Sequence, residues 1–114
     1  MHKSKRMEAK EKSWTVVQRE LMARSLRALA HPVRLSIIEM LIERGSMSVT
    51  DIYTQLGLDQ STISHHLSLM KSRKILGCKR EGKNIYYHLL GDKYLKLIHS
   101  FNQINLKEER FNYN

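Results

Sequence analysis

Disulfide frameworks, membrane segments and secretion signals have no counterpart in this sequence. Its 114 residues include a single cysteine, Cys78, which excludes an intramolecular disulfide and a cysteine-pair metal site. No apolar run approaches the length of a membrane span, and the N-terminus lacks the hydrophobic core of a signal peptide. We therefore expect a cytoplasmic protein with no membrane partner.

Signatures of catalysis are missing as well. The sequence has no glycine-rich phosphate loop, no nucleophile paired with a base, and no loop long enough to enclose a substrate. We therefore expect neither an enzyme nor a cofactor. The length suffices for one domain with a modest core.

Positive charge, in contrast, is abundant and clustered. Lysine and arginine total 20 against 11 acidic residues, and this excess favours an anionic partner. A basic protein without such a partner would have the same composition, so the distribution of charge matters more. Residues 71–83 contain six cations and one acid, Glu81, which raises the expectation of nucleic-acid binding. The cations are Lys71, Arg73, Lys74, Lys79, Arg80 and Lys83.

The two ends of the chain differ from its middle. Residues 1–12 are charged and poor in apolar side chains, which predicts a disordered basic tail. Residues 13–106 carry the helix and strand patterns of one domain, and residues 107–114 form a polar tail that we expect to be loose. Within the domain, Ser13 is placed to cap a helix that starts at Trp14.

Two further helices flank a tight turn. Pro32 suits the first position of an apolar core helix, which Gly45 ends. A short helix over residues 50–56 then stops at Gly57, and Asp59 is placed to cap the next helix by accepting its unpaired backbone amides. This next helix, over residues 60–74, has an apolar inner stripe and a polar outer side. The stripe consists of Ile63, Leu67 and Met70.

After this helix the apolar pattern alternates, as in a strand. The turn residues 81–84 predict a β-hairpin, and an apolar helix follows Gly91. The fold class is therefore mainly α with a small β-hairpin. The order of elements predicts a winged helix-turn-helix with an extra helix at each end.

The first and last helices carry more apolar side chains than a small monomer needs. We expect these two helices to pair with a second copy of the chain, which gives a homodimer. The residues predicted at the dimer interface are Trp14, Val17, Leu21, Tyr94, Ile98 and Phe101.

The helix over residues 60–74 has the chemistry of a helix that enters DNA. The major groove admits one α-helix, and short polar side chains near the N-terminus of that helix read base edges. The six cations of residues 71–83 suit phosphates, which set affinity and salt dependence. The serine and threonine hydroxyls at the start of this helix would also suit a capped helix that faces solvent, and this alternative stays open for Thr62. The predicted base-reading residues are Gln60, Ser61, Thr62, Ser64 and His65. His66, beside the apolar stripe, is expected to be a hydrogen-bonded structural histidine.

Three segments in this order resemble the ArsR/SmtB family of bacterial winged-helix repressors. The family's opening signature is similar to residues 26–41, LRALAHPVRLSIIEML. Its recognition helix is similar to residues 60–76, and its wing to residues 79–89. The resemblance implies a homodimeric repressor that binds an imperfect palindrome in double-stranded DNA and releases it when an effector binds. The sequence does not name the effector.

The metal ligands of that family are not matched. Where metal-sensing members often carry a Cys-x-Cys motif, residues 46–51 have no thiol. At a second family site Asp92 and Glu108 match the carboxylates, but both imidazoles are missing. Zinc prefers nitrogen or thiolate ligands, so we expect no metal site. Cys78 has no second cysteine to pair with, and we expect a packed strand thiol rather than an oxidant sensor.

A winged helix can also serve as a module for RNA or protein interaction. RNA readers usually expose aromatic side chains on which bases stack, and the polar face of residues 60–68 has none. The sequence therefore favours a sequence-specific DNA-binding transcriptional regulator, with the interaction module as the alternative hypothesis.

Overall fold

The computed structural model describes the backbone of residues 14–112 and the side chains of residues 14–104. Among these described residues, four helices precede a β-hairpin and one follows it, so the mainly helical winged helix-turn-helix expected from the sequence is confirmed. The predicted basic tail 1–12 and Ser13 lie outside the described residues. The elements are α1 (Val16–Leu29), α2 (Pro32–Arg44), β1 (Ser46–Ser48), α3 (Val49–Leu56), α4 (Gln60–Ser72), β2 (Leu76–Glu81), β3 (Asn84–Leu89) and α5 (Lys93–Asn112).

A capping box fixes the start of α1. The Thr15 hydroxyl accepts a hydrogen bond from the Gln18 amide at 3.1 Å, and the Gln18 side chain accepts one from the Thr15 amide at 2.9 Å. Because this arrangement satisfies two amides at once, α1 begins at Val16. The helix start predicted at Trp14 is therefore wrong.

The predicted limits of α2 are confirmed closely. Pro32 is its first residue, and Gly45 follows its last turn with a φ of 84°, a conformation that glycine adopts without strain. The residue before Pro32 also contributes, because His31 Nδ1 accepts a hydrogen bond from the Val33 amide at 3.1 Å. An imidazole therefore caps the core helix.

The wing is part of a three-stranded antiparallel sheet in the order β1–β3–β2. The expected hairpin is confirmed, with Leu76 opposite Leu89 at one end and Glu81 opposite Asn84 at the other. Strand β1 was not expected, because its three residues are too few to show an alternating pattern. It pairs with β3 directly before α3, and so ties the helix-turn-helix to the wing.

The core lies between α2, α3, α4 and the sheet. Ile37, Ile52 and Ile63, one from each of these helices, are fully buried. Leu67 and Met70 are at most 1% exposed, so the inner stripe predicted for the recognition helix is confirmed. This packing leaves the opposite side of α4 facing solvent.

The burial of Tyr94 within its own chain argues against its predicted place at the dimer interface. Its side chain is 6% exposed and belongs to the core of its own chain, and Ile98 one turn later is partly buried against that core. One side of the start of α5 therefore packs on the domain through Tyr94 and Ile98, while its other side, which carries Leu95, stays exposed. The other predicted interface residues are exposed by 42 to 64%: Trp14, Val17, Leu21 and Phe101.

The helical backbone of α5 continues past the expected end of the domain at residue 106. It reaches Asn112, so residues 107–112 are helical where we expected a loose tail. Neither glycine nor proline, the strongest helix breakers, occurs after Gly91, and the helix ends at an asparagine. Within residues 14–112, no helix combines the length and apolar character that crossing a membrane requires.

Candidate nucleic-acid interface

The helix-turn-helix places α4 at the surface in a fixed orientation. Ser48 caps α3 by accepting a hydrogen bond from the Asp51 amide at 3.1 Å. Gly57 then turns the chain in the left-handed conformation, with φ 67° and ψ 30°, which confirms its predicted role as the break. Because α4 buries one side against α3, its other side is held outward on a rigid pair of helices.

The outer side of α4 brings the predicted base-reading residues together on its first two turns. Gln60, Ser61 and His65 are exposed, whereas Thr62 and Ser64 are half-buried. We call this cluster of amide, hydroxyl and imidazole groups the base-reading face, after the role that the sequence predicts for it. Its side chains are short enough to approach base edges in a groove that admits the helix.

Asp59 occupies the capping position of α4 but does not cap it. Its backbone is extended, with φ −79° and ψ 161°, yet its carboxylate makes no hydrogen bond to an amide of the helix. Asp59 Oδ2 instead accepts a hydrogen bond from the Ser61 hydroxyl at 2.6 Å. A hydroxyl bound to a carboxylate forms a short, charge-assisted bond that competes with capping. The predicted cap is therefore wrong, and the spacing of Asp59 and Ser61 was the signal for this local bond.

The Ser61 hydroxyl lowers the pKa of Asp59, because it stabilises the ionised carboxylate, and the nearby Thr62 hydroxyl and amide lower it further. Asp59 is exposed and carries a negative charge at neutral pH. The start of the base-reading face therefore bears an acid in a protein whose net charge is +9.

His66 is buried, as expected, but the hydrogen bond expected for it is missing. It is 7% exposed, and its Nδ1 has no hydrogen-bond partner among the described residues. Its ring lies 4.5 Å from that of His31 between centroids. Burial lowers the pKa of His66, and the positive charges that His31 and Arg34 can carry lower it further. The buried imidazole is therefore held in its neutral form.

Exposed cationic side chains follow the base-reading face along the chain, at the end of α4 and on the hairpin. α4 ends at Ser72, earlier than expected, and Lys74 turns the chain with a φ of 63°. All six cations of residues 71–83 are exposed, three around the end of α4 and three on the hairpin. None of the six pairs with a carboxylate among the described side chains. They are Lys71, Arg73, Lys74, Lys79, Arg80 and Lys83.

Two of these cations have distinctive surroundings. The neighbouring Cys78 side chain raises the pKa of Lys71, which stays protonated at neutral pH. Cys78 itself is half-buried in β2 opposite Tyr87.

Arg73 lines a cleft of about 140 Å³ together with Arg24 and Arg27 of α1. The positive surface therefore extends from the end of α4 onto the first helix.

Of the two carboxylates matched to family metal ligands, Asp92 pairs with Lys96 at 3.4 Å. His99, on the same helix, lies 3.4 Å from the Gln103 side chain between nitrogens. Glu108 lies outside the described side chains. Within the described part of the chain, no group of three or more histidine, cysteine or acidic side chains is placed to hold a metal ion.

Comparison with known proteins identifies the family. The model of the "Bacterial regulatory protein, arsR family" matches residues 31–73, from the His31 cap to the end of α4. The transcriptional repressor PagR of Bacillus anthracis is 39% identical over 82 residues, which cover 72% of this chain and 82% of PagR. The chain belongs to the arsR family. Another relative, the HTH-type transcriptional regulator MJ1325 of Methanocaldococcus jannaschii, is 37% identical over 79 residues, 69% of this chain and 89% of that protein.

Solved structures share the arsR-family fold. The crystal structure of PagR from B. anthracis has a TM-score of 0.68 at 35% identity, covering 77% of this chain and 100% of that one. The solution structure of the homodimeric winged helix-turn-helix DNA-binding domain Mb0332 from Mycobacterium bovis has a TM-score of 0.73 at 27% identity, covering 83% and 87%. The family and these relatives are named as transcriptional regulators, not enzymes.

Proposed function

We propose that this arsR-family protein is a homodimeric, sequence-specific DNA-binding repressor that recognises an imperfect palindrome in the cytoplasm. The observation that carries the proposal is the base-reading face of α4, followed along the chain by six exposed cations. Relatives named as repressors, PagR among them, support the direction of regulation. We also propose that the protein responds to no metal ion, because its sequence lacks the thiols and imidazoles that such a site uses.

The base-reading face and the cations have different tasks in this proposal. Gln60 can bond adenine through its amide in two places, and Thr62 can offer its methyl group to thymine. Ser64 and His65 face the same groove one turn later. The cations around Lys71 and Lys83 contact phosphates, which carry no sequence information and determine the dependence of affinity on salt.

Dimer formation would place two copies of α4 on one side of a duplex. Exposed apolar side chains just before α1, on α1 and late in α5 offer the surface that a second copy covers: Trp14, Val17, Leu21 and Phe101. A two-fold dimer presents two equal helices about one DNA turn apart, roughly 34 Å, and so matches an inverted repeat. The homodimeric state named for the Mb0332 domain supports this arrangement.

Two substitutions distinguish base recognition from phosphate binding in one binding experiment. Fluorescence anisotropy would measure the affinity of wild type, Gln60→Ala and Lys83→Ala for a bound duplex and its single-base variants. We expect Gln60→Ala to lose about 1–3 kcal/mol of discrimination at one position of each half-site, the cost of one bidentate contact. We expect Lys83→Ala to weaken all duplexes alike and to reduce the slope of log affinity against log salt by about 1 for each protomer.

The same assay tests the alternative function. Unlabelled duplex and single-stranded RNA of equal length would compete for the protein at fixed salt. We expect duplex to displace the probe at far lower concentration. Equal competition by RNA, or the same pattern for both substitutions across the variants, would contradict the proposal.

A further inference from the structure

The bond between Asp59 and Ser61 determines what the start of α4 can recognise. A serine hydroxyl has one proton to donate and two lone pairs that accept. The proton of Ser61 is engaged by Asp59 Oδ2 at 2.6 Å, a length typical of charge-assisted bonds. Ser61 therefore presents lone pairs alone, and the ionised Asp59 can only accept as well.

Because Asp59 and Ser61 can then only accept hydrogen bonds, they cannot bond to DNA groups that are also only acceptors. Phosphate oxygens only accept, so neither residue can bond the backbone while the Asp59–Ser61 bond is intact. Guanine presents two acceptors in the major groove, N7 and O6, and thymine presents the acceptor O4 beside a methyl group. Each of these edges would be repelled by the negative charge of Asp59.

The two remaining bases offer an amino group. In adenine the N6 amino group lies beside the acceptor N7, which an acceptor-only pair does not tolerate well. Cytosine itself contributes only its N4 amino group to the major groove, with no acceptor of its own beside it, and carboxylates are its usual protein partners. Building on the proposed function, we propose that Asp59 and Ser61 together select cytosine at one position of each half-site.

Exposure and position on α4 make this selection feasible. Both side chains are exposed, and they lie on either side of Gln60 along the chain, at the start of the base-reading face. The carboxylate makes no capping hydrogen bond of ordinary geometry to the helix, so it can face a base edge without loss of a cap. Asp59 is thus a specificity-determining residue that lowers affinity for every site except those with the matching amino group.

Selection of sites from a random duplex library by the full-length protein tests this inference. Wild type, Asp59→Asn and Ser61→Ala would be compared at one salt concentration. Asparagine keeps an oxygen for the Ser61 hydroxyl but loses the charge and adds a donor. We expect wild type to enrich cytosine at one position in each half-site and both substitutions to reduce that preference, by about tenfold for Asp59→Asn.

Two matched controls separate base selection from charge and folding. Asp51→Asn removes an equal charge from the exposed first turn of α3, and Ser68→Ala removes an exposed hydroxyl farther along α4. Both are expected to retain the cytosine preference. Asp59→Asn with the cytosine preference of wild type would overturn the inference, and so would adenine at the position that these substitutions alter. A wild type that enriches no sequence would overturn the proposed function itself.

Discussion

Replacing Tyr94 with alanine tests whether the start of α5 belongs to the core or to the dimer interface. Tyr94 is 6% exposed, whereas Phe101, two turns later on the same helix, is 58% exposed. Truncation of a buried aromatic side chain costs about 3–5 kcal/mol, and we take about 3 kcal/mol because Tyr94 lies at the edge of the core. For a domain of this size that loss lowers Tm by about 12–24 °C.

Thermal unfolding at two protein concentrations, together with sedimentation, distinguishes the two roles. Tyr94→Ala is expected to lower Tm by a similar amount at both concentrations, since it removes packing within one chain. Phe101→Ala is the matched control, and we expect it to weaken dimerisation and to lower Tm mainly in the dilute sample. If Tyr94→Ala dissociated the dimer at an unchanged monomer stability, the assignment of Tyr94 to the core would be refuted.

Two further predictions concern His66 and Gly77. Burial lowers the pKa of His66 below its ordinary value of 6.5. His66 therefore binds a proton more readily in the unfolded chain than in the folded one. The free energy of unfolding is highest above pH 6.5 and decreases as the pH falls from there through the lowered pKa of His66. His66→Leu should flatten this decline in urea unfolding between about pH 7 and 5, and an unchanged decline would contradict it. A methyl group at Gly77 would lie 2.8 Å from His88 Nε2. Gly77→Ala should cost about 1–3 kcal/mol. A second substitution, His88→Ala, should restore much of this loss, whereas additive losses in the double mutant would argue against the clash.

The elements with local signals could be predicted from the sequence. Pro32, Gly45 and Gly57 act through their own backbone conformations, so the limits of α2 and the turn before α4 followed directly. The inner stripe of α4 followed from periodicity, because Ile63 and Met70 must face the same side of a helix.

Features that depend on competition between partners could not be predicted in this way. The Asp59 carboxylate can accept a hydrogen bond either from the helix amides or from the Ser61 hydroxyl, and the folded geometry determines which of the two forms. His66 was recognised as buried, but its missing partner depends on which polar atoms the neighbouring helix brings close. Tyr94 lay on a helix with apolar residues on more than one side, and periodicity alone does not say which side meets the chain's own core.

Selection of bound sites from a random duplex library by the wild-type chain is the decisive experiment for the proposed repressor. We expect enrichment of an inverted repeat whose half-sites are centred about one DNA turn apart, roughly 10 base pairs, because two copies of α4 read it together. Affinity for the enriched site should fall steeply as salt is raised, since the exposed cations contact phosphates. Recovery of unrelated sequences, or of a motif without two-fold symmetry, would contradict a homodimeric sequence-specific repressor.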